Sequence, residues 1–154
     1  MSEADEIVVS YLVLCDQVIT EAQTGKQSLI GIYSTLLAEQ FPLAVNVAVA
    51  LCIRVQSARS RELSVKFAGP DNEVIFGTPT LPLDWASVQT SLKSAGFAML
   101  QMGVNLRALP ITTAGVHTAS LYCDGSLIAT CPVAVLTAPQ RPPNRPAARF
   151  PRPA

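Results

Sequence analysis

Apolar side chains recur at every second position over most of this chain. Val45, Val47, Val49, Leu51, Ile53 and Val55 alternate with Ala44, Asn46, Ala48, Ala50, Cys52 and Arg54. Successive side chains on an extended backbone leave opposite faces, so this period predicts a long strand with one strongly apolar face. Leu63, Val65 and Phe67 repeat the pattern around Ser64 and Lys66, and Gly69-Pro70-Asp71-Asn72 then turns the chain into Val74-Ile75-Phe76. Proline presets the backbone angle of the second turn position, which gives that turn a physical cause. Ala98, Leu100, Met102, Val104 and Leu106 form another such run, closed by Pro110 and Gly115.

Two further hairpins are legible. Thr24-Gly25 separates the run Ile7 to Ala22 from Gln27 to Leu37, and a two-residue turn there sets Asp16 opposite Tyr33. Asp124-Gly125, a favoured pair for the tight turn whose twist suits a hairpin, joins Gly115–Cys123 to Ser126–Val135. A regular ladder from that turn puts Val116, Ser120 and Tyr122 on one face with Leu127, Ala129, Cys131 and Val133. The valine-rich face is the expected inner one. His117, Ala119, Leu121 and Cys123, with Ile128, Thr130 and Pro132, then look outward. The stretch from Gly77 to Ser94 breaks the period. It reads as a crossover in which Asp84 caps a short helix bearing Trp85, Val88 and Leu92 on one side.

These runs predict an all-β fold, a two-sheet antiparallel β-sandwich of about seven or eight strands spanning residues 7–138. Helical periods long enough for β-α-β units are missing, and no internal repeat stands out. Several strands are apolar on both faces, as in Tyr11, Val13 and Ile19 against Leu12, Leu14 and Val18. One face meets the second sheet, and the other must be covered by a loop or a neighbouring chain. Residues 1–6 form an acidic extension. From Pro139 to Ala154 the prolines and arginines predict a polyproline-like or disordered tail.

Composition sharpens this picture. Hydrophobic residues make up 49% of the 154 and charged residues only 14%, enough apolar surface to offset the entropy of ordering the domain. So little charge on a small domain favours apolar contact with itself or another protein, through a sheet face or an edge strand. The formal charge is zero, yet Arg141, Arg145, Arg149 and Arg152 all lie in the tail, leaving the rest about four charges negative. An acidic body is a poor platform for phosphates, so nucleic acid is not an expected partner of the domain. Neither a signal-peptide pattern nor an apolar run long enough to span a bilayer is present, and a cytoplasmic setting without membrane contact is expected. Cys15, Cys52, Cys123 and Cys131 have no metal-knuckle or redox spacing and read as reduced, buried small hydrophobes.

Candidate chemistry is sparse. His117 is the sole histidine. Its nearest same-face thiol, Cys123, is six strand residues and therefore about 20 Å away, while Cys131 is expected on the opposite face. His117 reads as a solvated strand residue. Asp71, Asn72 and Glu73 on one turn and Asp124 on another are the best candidates for a calcium-type cation if the two turns share one end of the sandwich. Asp16 interrupts an apolar strand and needs donors, which Tyr33 or backbone N–H groups supply in fixing the register. No phosphate-cradling glycine loop, nucleophile elbow or carboxylate pair occurs. Ser57-Ala58-Arg59-Ser60-Arg61 reads as a solvated basic turn. Neither catalytic, cofactor nor metal residues are expected, and the chain reads as a non-enzymatic interaction module. The alternative is a small-ligand or divalent-cation sandwich using Asp71, Glu73 and Asp124.

The segments Tyr11-Leu12-Val13-Leu14-Cys15-Asp16-Gln17-Val18, Gly25-Lys26-Gln27-Ser28-Leu29-Ile30-Gly31-Ile32-Tyr33 and Phe41-Pro42 resemble the opening of a family of uncharacterised small bacterial all-β proteins. The later order of hairpins is also similar, so the resemblance spans roughly Ile7 to Leu136 and omits the tail. It implies the same fold class and a bacterial cytoplasmic setting, and it brings no activity or site residue with it.

Overall fold

The computed structural model describes residues 7–57, 59–81 and 83–139. The expected acidic extension, residue 58 of the basic turn and the tail beyond Pro139 lie outside the described residues. Among the described residues there are nine strands and one helix. In chain order they are β1 (Ile7–Thr20), β2 (Gln27–Ile32), β3 (Thr35–Ala38), β4 (Leu43–Val55), β5 (Leu63–Ala68), β6 (Val74–Gly77), α1 (Trp85–Ala95), β7 (Ala98–Ile111), β8 (Gly115–Cys123) and β9 (Ser126–Thr137). A four-stranded sheet has the order β2-β1-β4-β7, and a five-stranded sheet the order β3-β9-β8-β5-β6.

The two-sheet architecture follows the alternation. The odd positions of β4 from Val47 to Val55 and Leu12 and Leu14 of β1 meet Leu63, Val65 and Phe67 of β5 and Val133 and Val135 of β9 in one core. Each such side chain withdrawn from water contributes about 1.5–3 kcal/mol before entropy is counted. The crossover does hold a helix: the Asp84 carboxylate accepts from the Ser87 N–H, Val88 is buried, and Gly96 ends α1 in the left-handed region with φ 78°.

The run from Gln27 to Leu37 is two strands rather than one. It breaks at Tyr33–Ser34, and β3 crosses to the second sheet, where it pairs in parallel with β9. The sandwich is therefore mostly, not wholly, antiparallel. The β1–β2 connection is also longer than a two-residue turn. Thr20 pairs with Gln27, and Gly25 donates to the Glu21 carbonyl across a wider loop.

The β8–β9 hairpin corrects the expected inner face. Asp124 and Gly125 both have positive φ, as the tight turn requires. Cys123 pairs with Ser126 and Tyr122 with Leu127, but Leu121 pairs with Ala129. Ile128 is thus an extra residue, a bulge that shifts the rest of β9 by one place and moves every later side chain to the other face. Val133 then lies opposite His117, and Cys131 opposite Ala119. On its other side β8 pairs with β5, which sets Leu121 beside Val65 and Ala119 beside Phe67. The face of His117, Ala119, Leu121 and Cys123 is buried, while Val116 is exposed.

Part of the second face of the four-stranded sheet is covered by this chain itself, while Val8 and Met99 at its other end are exposed. Cys15–Ala48 is the last pair between β1 and β4. Beyond it β1 continues only with β2, and this arm folds over the sheet so that Val18 and Leu29 pack on Cys15, Ala48 and Ala50. Small residues on β4 and β7 make room for it. Gly103 lies so near Val18 that a Cβ there would stand 3.1 Å from the valine Cβ.

Candidate functional site

Where the arm leaves the sheet, two backbone irregularities face each other. The first is on β2, where Gly31 takes φ 67° and is skipped in the β1–β2 ladder. Asp16 lies directly over it, and any side chain at Gly31 would collide with the Asp16 carboxylate. The Tyr33 hydroxyl donates to Asp16 Oδ1, while the Tyr33 N–H donates to the Leu14 carbonyl at 2.8 Å. Burial, followed by the hydrogen bond and the charge of Asp16, pushes the Tyr33 phenol up to about 12. The expected Asp16–Tyr33 contact is present. It forms through an irregular glycine rather than by direct cross-strand pairing.

The second irregularity is on β7. Val45 pairs with Leu109 and Val47 with Leu106, leaving Arg107 and Ala108 in a bulge opposite Asn46. Ala108 takes φ 49°, an uncommon conformation for a residue with a side chain. The Asn46 Oδ1 holds it by accepting from the Ala108 N–H at 2.8 Å. Between the two irregularities opens a cleft of about 460 Å³ lined by Asp16, Gln17, Val18, Asn46, Val47, Asn105, Leu106 and Arg107. Val47 and Leu106 are buried with their side chains in the core between the sheets, whereas Asp16, Asn46, Asn105 and Arg107 are exposed. Sequence reasoning found Asp16 but missed Asn46, Asn105 and Arg107, because only the bulge brings them to the arm.

His117 is not solvated. It is 1% exposed, stacks on Phe67 with ring centroids 5.8 Å apart, and lies with Nδ1 3.2 Å from the Gly115 carbonyl. That oxygen can only accept, so Nδ1 carries the proton. The expectation failed because β5, not the valine content of β8, decides which face turns inward. Cys131 shares the inner face rather than the opposite one, yet no hydrogen bond links a thiol to the ring among the described residues. Cys15, Cys52 and Cys123 are buried, Cys131 is partly exposed, and none is in a disulfide. Burial raises the Cys15, Cys52 and Cys123 thiols above their ordinary value.

The loop acids do not converge. Leu63 pairs with Cys123 and Ala68 with Thr118, so Asp124 and the turn holding Asp71 and Glu73 lie at opposite ends of β5, roughly 20 Å apart. Asp124 is engaged locally: Oδ2 accepts from Arg61 at 2.8 Å and Oδ1 from the Glu62 N–H at 2.9 Å. The Arg61 hydrogen bond is the main cause holding its carboxyl below the usual carboxylate range. Among the described residues no group of three or more His, Cys, Asp or Glu could hold a metal ion. No helix among them is long and apolar enough to cross a membrane.

A different surface is apolar and open. On the outer face of the five-stranded sheet, Leu37 of β3 pairs with Leu136 of β9, and Val116 of β8 pairs with Ala134 of β9. Leu37 is 63% exposed, Val116 55% and Leu136 49%. Farther along the same face Tyr122 pairs with Leu127, and Lys66 stands over the Tyr122 ring at 4.8 Å.

Residues 10–136 match the model of a protein family described as a family of unknown function. No curated protein sequence matches the chain.

Proposed function

The chain belongs to this family of unknown function (DUF6941), and we propose that it is a non-enzymatic module that binds protein through the outer face of its five-stranded sheet. The observation that carries this reading is the group Leu37, Leu136 and Val116. They lie on three neighbouring strands with about half or more of their surface in water. A contiguous apolar patch is costly to leave hydrated, and on a small domain it marks a contact surface. The chain's 14% charged residues support the same reading, since few charges oppose association. The family resemblance to bacterial domains and the four unpaired thiols favour a bacterial cytoplasmic setting. The alternative of a cation held by end loops loses its support with Asp71 and Glu73 at one end of the sheet and Asp124 at the other.

Leu37→Glu with Leu136→Glu tests the proposal, because both positions are exposed and the fold should survive. Size-exclusion chromatography with light scattering over a wide concentration range should find wild type above the monomer mass, or bound to a co-purifying protein, and the double variant free. A wild type that is always a partner-free monomer, or a variant that associates equally well, counts against this face.

A further inference from the structure

The β8–β9 turn lies at the far end of the five-stranded sheet from Leu37 and Leu136, and its interest is covalent. Asp124-Gly125 is the sole aspartate–glycine pair in the sequence, and no asparagine precedes a glycine. Such a pair is fragile for a steric reason. The amide nitrogen after an aspartate can attack the side-chain Cγ, and glycine, lacking a Cβ, leaves that approach open. Both residues are exposed here, and a Cβ placed on Gly125 would meet nothing within 4 Å. Ring closure also requires the carboxyl group to lose an oxygen as water, which the protonated acid does far more readily than the carboxylate. The fold works against that step. Asp124 Oδ2 accepts from Arg61 at 2.8 Å and Oδ1 from the Glu62 N–H at 2.9 Å, while the Asp124 N–H donates to the Glu62 carbonyl at 2.8 Å. The bond from the Arg61 cation is of the short, strong class. The Arg61 side chain is only 8% exposed, so salt screens the pair weakly. The same bonds favour the ionised carboxyl and hold it below the usual range.

We infer that Asp124-Gly125 is a site of backbone isomerisation and that Arg61 is its lock. When the lock opens, the Gly125 nitrogen attacks Asp124 Cγ. A new C–N bond forms, and the amide hydrogen leaves with a carboxyl oxygen and its proton as water, giving a five-membered imide ring. Water then adds to one of the two ring carbonyls. Opening at the Cγ carbonyl restores aspartate, while opening at the main-chain carbonyl leaves the backbone running through the side-chain carbon as isoaspartate. Water is the only co-reactant. The product lengthens the turn by one carbon and sets the free carboxylate directly on Cα. A tight turn that holds positive φ at both residues has no place for the extra atom, so the tie to Arg61 and Glu62 is lost and the hairpin loosens.

The test incubates the full chain for weeks at neutral pH in water enriched in heavy oxygen, which marks every ring opening at residue 124. Peptide mapping with electron-transfer fragmentation then separates isoaspartate from aspartate. A synthetic peptide spanning residues 121–128 gives the unlocked rate. Folded wild type should take up label several-fold more slowly than this peptide. Arg61→Gln, checked by thermal unfolding to be folded, should approach the peptide rate, and Arg61→Lys, which keeps a cation, should fall between. If Arg61→Gln does not fold, Arg61→Lys against wild type and peptide decides the matter. The isomerised fraction should unfold at a lower temperature than the rest. No label in the peptide, wild type labelling as fast as the peptide, or folded Arg61 variants as slow as wild type overturns the inference. None of these outcomes bears on Leu37 and Leu136, so the two proposals fail separately.

Discussion

Removing the Tyr33 hydroxyl leaves the Asp16 carboxylate with water as its partner and frees the end of β2. Tyr33→Phe should cost about 0.5–1.5 kcal/mol, the usual net worth of one hydrogen bond. A pH signature separates this bond from simple loss of packing. The phenol is raised from its ordinary value of 10.0 to about 12 in the folded protein, so the folded state holds this proton more tightly than the unfolded chain. Its contribution is complete below about pH 10 and is lost as the pH rises toward 12. Urea midpoints measured on either side of pH 10 should fall more steeply for wild type than for Tyr33→Phe; parallel slopes would argue against the bond. The partnership was legible from a polar residue in an apolar strand. The ring of His117 was not, since its burial depends on β5 and on the extra Ile128, which a regular turn-based register leaves out.

Among the elements, the arm formed by the end of β1 and β2 is the least expected and the most exacting. Val18 rests on Gly103 with no spare room, and Gly103 has an ordinary backbone, so space alone requires the glycine. Gly103→Val should lift the arm and cost about 1–3 kcal/mol, as overpacking does. Amide exchange should quicken in β2 while β5 keeps its protection; equal change in both strands would speak against local displacement. The strand runs around Val45–Val55 and Leu63–Phe67 were readable because their alternation is strict and one face is buried. The arm was not, because Tyr11, Val13 and Val18 announce a second apolar face without saying what covers it. Ala48, Ala50 and Gly103 were the available signal: small side chains on a strand face leave room for another layer.

For the molecule as a whole, the sandwich and its two sheets follow from binary patterning, while the path between them does not. Nothing in the alternation of Gln27 to Leu37 reveals that the chain changes sheets at Tyr33–Ser34. The cleft was illegible for the same reason, since Asn46 and Arg107 are unremarkable until a bulge turns them toward Asp16. The parallel pairing of β3 with β9 has a consequence for synthesis. Thr35 finds its partner only in Ala134, so β3 emerges from the ribosome long before the strand it must join. Loop closure of that span comes late and makes folding slow. A chain ending at Cys123 should remain open to proteases along Thr35–Ala38 and show no cooperative melting. Addition of residues 124–139 should seat β9 between β8 and β3 and complete the sheet, so that during translation the domain remains a client for chaperones almost until its last strand is made.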